Sequence, residues 1–69
     1  MKTTARFDGN NFMVAWFGGR EELTATLEEN HGYFIITIDT NDDYFYKPYK
    51  EFPSADKVLQ DFLNWQVGG

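Results

Sequence analysis

The chain has no cysteine and a single histidine, His31. No disulfide can staple the fold, and no Cys/His set with zinc-ligand spacing can stand in for one. A domain of 69 residues must therefore be held by apolar burial alone. The missing thiols also remove thiolate nucleophiles and redox motifs, although a chain without cysteine is indifferent to the redox state of its compartment. Acid–base or nucleophilic catalysis needs side chains gathered in a pocket with shifted proton affinities. Here the one histidine lies in a polar turn and most carboxylates lie in turns or on a helix face, so the sequence reads as non-enzymatic, with no cofactor and no metal.

Cations are scarce as well. Six Lys and Arg against eleven Asp and Glu leave a formal charge of −5. Duplex nucleic acid and anionic membranes are bound mainly by cations that meet phosphates, so both are disfavoured as partners. No apolar run approaches the roughly 18 residues of a membrane span, and Met1–Arg6 leads into strand-like residues without an apolar leader. A cytoplasmic location with no membrane contact is the expectation.

What the chain does have is aromatic residues: seven Phe, four Tyr and two Trp, 19% of the total. Large rings supply the buried area that staples would otherwise replace. One domain over residues 1–69 has a single interior, however, and so many rings are hard to hide in it.

The central segment is Gly32–Asp39, the longest run of β-branched and aromatic residues. As a strand it places Phe34, Ile36 and Ile38 on one face and Tyr33, Ile35, Thr37 and Asp39 on the other. Before it, Thr3–Phe7 and Phe12–Phe17 read as strands joined by the turn formers Asp8-Gly9-Asn10-Asn11. Gly18-Gly19 has neither dinucleotide nor P-loop spacing and reads as a plain loop. Leu23–Leu27 alternates, with Leu23, Ala25 and Leu27 toward the core and Thr24 and Thr26 away from it. Glu28–Gly32 is expected to be a polar link.

After the central strand, Asp39, Asn41 and Asp43 have the spacing of the first calcium-loop ligands. Tyr44 stands where such a loop needs glycine and Lys50 where it needs glutamate, so these residues read as turn formers. Tyr44–Lys47 forms a further strand that Pro48 should end. Tyr49–Pro53 is a connector, and Ser54 is placed to cap a helix running to about Gln66. Ala55, Val58, Leu59, Phe62 and Trp65 make its apolar stripe, with Leu63 at the margin, while Asp56, Lys57, Gln60, Asp61 and Asn64 face water. The predicted fold is α+β: an antiparallel β-meander of four to five strands with one C-terminal α-helix packed across one face.

That arrangement leaves a bare sheet face. The expected function is a small acidic protein-binding module of regulatory or inhibitory type, with candidate binding residues Trp16, Tyr33, Ile35, Tyr44, Tyr46 and Tyr49. Tyrosine and tryptophan suit an interface because they bury much area with few rotors and keep a polar tip. The expected partner is a protein, basic in charge, or a second copy of the chain. Two alternatives share the same residues. In one, single-stranded nucleic acid stacks on Tyr44, Phe45, Tyr46 and Tyr49 beside Lys47 and Lys50. In the other, Glu21, Glu22, Glu28, Glu29, Asp42 and Asp43 imitate the phosphates of a nucleic acid.

Overall fold

The computed structural model describes residues 3–16, 20–40 and 42–68. The chain opens with two short strands, β1 (Thr4–Asp8) and β2 (Asn11–Ala15), paired antiparallel around a two-residue turn. Gly9 occupies its first position at φ 62°, the glycine pattern of a type II′ hairpin. β3 (Glu21–Thr26) completes a first three-stranded sheet in the order β1-β2-β3. The chain then turns a corner at Leu27, whose side chain is buried and whose N–H donates to the Asn10 carbonyl at 2.7 Å. β4 (Glu28–Asn30), β5 (Tyr33–Asp39) and β6 (Tyr44–Tyr49) form a second antiparallel sheet in the order β4-β5-β6. α1 (Ala55–Gly68) follows.

The fold is thus α+β with one C-terminal helix, in six strands and two sheets rather than four or five strands in one meander. The additional strand is Glu28–Asn30, expected as part of a loop. It closes a two-residue hairpin at His31-Gly32, both at positive φ (53° and 83°), as a type I′ turn requires.

Inner faces of both sheets and one face of α1 enclose a single core: Phe12, Val14 and Ala25 from the first sheet, Leu27 at the corner, Ile36, Ile38 and Phe45 from the second, and Val58, Leu59 and Phe62 from the helix. The helix starts where the sequence places it. Ser54 Oγ accepts the Lys57 N–H at 3.2 Å, and the Ser54 carbonyl accepts Val58 N–H at 3.1 Å. Rings tie the layers together, with Phe45 against Phe62 at 5.6 Å and against Trp65 at 5.7 Å between centroids.

Several side chains depart from the expected parity. Between Phe12 and Met13 the β2–β3 register shifts: Phe12 faces Ala25 while Met13 faces Leu23, so Thr24 is the extra residue of a bulge. Leu23 is consequently turned out and 60% exposed, and Thr24 is half-buried. Asp61, expected in water, faces β6 instead. Pro48 does not end its strand, because β6 is an edge strand and an edge tolerates a residue without an amide donor. Phe17, Gly18-Gly19 and Asn41 lie outside the described residues.

Candidate docking face

β-Strand alternation and cross-strand register fix the outer face of the second sheet. Partners directly opposite share a face. Tyr33 stands opposite Asn30, Ile35 between Glu28 and Pro48, Thr37 opposite Tyr46, and Asp39 opposite Tyr44. From Tyr33 to Asp39 the face runs about 20 Å at ~3.4 Å per residue. Tyr33, Tyr44 and Tyr46 are 42%, 57% and 55% exposed, and Ile35 is half-buried among its neighbours. Three amphipathic rings thus surround an aliphatic centre. The only charges that the strands place on this face are the carboxylates of Glu28 and Asp39, since Lys47 has the parity of Phe45 and Tyr49.

Local hydrogen bonding holds the rings in place. Thr40 N–H and Thr40 Oγ1 both donate to the Asp43 carbonyl at 2.8 Å, and Thr40 Oγ1 accepts Asp43 N–H at 3.2 Å. Asp43 Oδ1 then accepts the Tyr44 N–H at 2.7 Å. This turn sets the start of β6, and hence the direction of Tyr44 and Tyr46. At the opposite end, Gly32 N–H donates to Glu29 Oε2 at 3.0 Å, fixing the hairpin that leads into Tyr33.

Of the six candidate binding residues, Tyr33, Ile35, Tyr44 and Tyr46 come together on this face. Trp16 and Tyr49 do not join them. Trp16 is half-buried against the core. Tyr49 also packs against the core, and its hydroxyl donates to Asp61 Oδ2 at 2.9 Å, while Lys57 Nζ pairs with Asp61 Oδ1 at 3.3 Å. Burial, and then the hydrogen bond and charge of Asp61, hold the Tyr49 phenol well above its ordinary value. Lys47 Nζ lies 5.8 Å from the Tyr49 ring centroid, on the side away from Tyr44 and Tyr46. The basic and aromatic stretch therefore divides its rings between two faces.

Sequence reasoning missed Pro48 and Glu28 as members of the face. Pro48 has the even-number parity of Tyr44 and Tyr46 and could have been placed by continuing the strand. Glu28 could not, because a short, wholly exposed polar strand carries no apolar alternation.

The acidic residues are partly occupied within the molecule. Glu21 accepts two bonds from Arg6, at 2.7 and 2.8 Å, and this pairing holds its carboxyl below the usual value even at the surface. Glu29 and Asp43 accept backbone N–H groups, as described above. Among the described residues no group of three or more His, Asp or Glu side chains is arranged to hold a metal ion, and no helix is long and apolar enough to cross a membrane.

Comparison with known proteins places the chain beside no relative: no family model, no curated protein and no solved structure gives a significant match.

Proposed function

We propose that the domain is a non-enzymatic binding module that docks a cationic protein segment on the outer face of its second sheet. The observation that carries this reading is the exposed trio Tyr33, Tyr44 and Tyr46 around Ile35, with Glu28 and Asp39 as the face's only strand-borne charges. Tyrosine faces attract Lys and Arg through the ring quadrupole, and the flanking carboxylates add long-range attraction on top of the chain's net charge of −5. A regulatory or inhibitory role fits a small domain that acts by covering part of a larger partner.

Single-stranded nucleic acid is a weaker reading of the same residues, because Lys47 is on the wrong face to meet the phosphates of bases stacked on Tyr44 and Tyr46, which leaves Lys50, just past the end of β6, as the one cation of the pair for that role. Mimicry of a nucleic acid loses support because the Glu21 charge is paired with Arg6, and Glu29 and Asp43 each have one oxygen engaged by a backbone N–H.

The test is a titration of the isotope-labelled domain with a short peptide alternating arginine and serine, beside a matched peptide of glutamate and serine. The expected result is saturable shifts at Tyr33, Tyr44 and Tyr46 with the basic peptide only, weakened at least about tenfold in a Tyr44→Ala/Tyr46→Ala variant. Shifts that map elsewhere, or an affinity indifferent to that variant, would overturn the reading.

A further inference from the structure

The β-bulge at Thr24 borders an opening in the surface. There β3, the end of β5 and the last turns of α1 surround an open cleft of about 280 Å³. Its wall includes Ile38 and Phe62, both nearly inaccessible core residues, so its floor is the hydrophobic core itself. Trp16 stands at its side and Glu22 and Asp39 contribute to its lining.

Glu22 is the unusual member. Its cross-strand partner is Val14, which is fully buried, so strand parity puts a carboxylate on the core-facing side of the first sheet. The residue is exposed, so its carboxylate stands in solvent at the mouth of the cleft with the apolar floor beneath it. Neither Glu22 nor Asp39 has a hydrogen bond or ion pair through its carboxylate among the described residues. Among the described residues no Lys or Arg lines the cleft. Asp39 also belongs to the tyrosine face, where it stands opposite Tyr44, so the cleft and the face meet at this residue.

From these placements we infer that the cleft receives an arginine side chain of the cationic partner. The methylene stem lies over Ile38 and Phe62, the guanidinium plane lies against Trp16, and its N–H groups donate to Glu22 and Asp39. Guanidinium suits the site better than ammonium because it is flat, weakly hydrated, stacks on an aromatic ring and presents a fork of donors to carboxylates. The inference rests on reading the domain as a module for a cationic partner, and it adds the residue by which that partner is anchored.

The test uses the intact domain and N-acetyl-arginine methylamide, read by the Trp16 indole N–H resonance. Expected is a saturable shift, weakened about tenfold when the neutral citrulline analogue replaces arginine, and about fivefold or more by Glu22→Gln or Asp39→Asn. Both substitutions are at exposed positions and should leave the melting temperature unchanged. No shift at Trp16, equal binding of the citrulline analogue, or indifference to both substitutions would overturn the inference, and equal binding of the lysine analogue would remove its choice of guanidinium. The outcome separates from that of the tyrosine face. A basic peptide that still perturbs Tyr33, Tyr44 and Tyr46 while the arginine amide fails removes only the cleft, and the reverse result removes only the face.

Discussion

His31 is the one described non-glycine residue at positive φ, and it shares the β4–β5 turn with Gly32. A type I′ turn demands positive φ at both central positions, where asparagine followed by glycine is the preferred pair. His31→Asn should therefore stabilise the domain by about 0.5–1 kcal/mol, while Gly32→Ala should cost about 1–2 kcal/mol. A Cβ on Gly32 would meet nothing within 4 Å, so the second cost is one of backbone conformation and not of collision. Urea unfolding of the two variants checks both signs. Tyr49 offers a separate test through pH. Its phenol is raised in the fold above the ordinary value of 10.0, so as pH climbs past about 10 the unfolded chain loses this proton first. The stabilising contribution is complete below that pH and is lost as pH rises toward the folded value. Relative to Tyr49→Phe, the wild type should lose stability above pH 10; parallel stability curves for the two proteins would show that neither burial nor the Asp61 contact holds this proton.

At the scale of elements, the connector between β6 and α1 carries more than its irregular shape suggests. Phe52 is 47% exposed, yet its ring lies 5.1 Å from that of Phe7 and 5.5 Å from that of Phe34, both edge-on. It bridges β1 of the first sheet and β5 of the second, closing the end of the core opposite the Phe45, Phe62 and Trp65 group. Phe52→Ala should cost about 1–3 kcal/mol in chemical denaturation, less than a fully buried phenylalanine but far more than an ordinary exposed one. A periodic signal could not disclose this contact, because a connector has no repeat to count. β5, the α1 stripe and the Ser54 cap were legible for the opposite reason: each follows from spacing within one segment. The Thr24 bulge was not, since a bulge is a property of two strands in register and nothing in Leu23–Leu27 alone announces it. Asp61 escaped for a similar reason, its position being decided by the hydroxyl of Tyr49 on another element. Within the candidate face, period-two alternation grouped Tyr33, Ile35, Tyr44 and Tyr46, and carried one step further in each strand it also puts Tyr49 with Phe45 and Trp16 with Phe12 and Val14, on the core side; ending the strand at Pro48 is what hid the first of these.

For the whole molecule, dimensions decide how many faces can be covered. The extents are 37 × 28 × 18 Å, and the shortest leaves room for about two layers spaced ~10 Å apart. With α1 and the first sheet already against the inner side of the second sheet, the described chain has no further element with which to cover the outer side. Two classes of substitution should then behave differently. Tyr44→Ala and Tyr46→Ala remove rings that are more than half exposed and outside the core, and together should change unfolding free energy by less than about 1 kcal/mol, whereas Phe62→Ala should cost about 3–5 kcal/mol through a core cavity. Charge adds a constraint on what covers the face from outside. A second copy would bring another −5 and the same Glu28 and Asp39 carboxylates, so self-pairing is opposed by like charge that a cationic partner would neutralise. In sedimentation at physiological salt the free domain should run as a monomer, and a tight dimer lost in Tyr44→Ala/Tyr46→Ala would instead assign the tyrosine face to self-association.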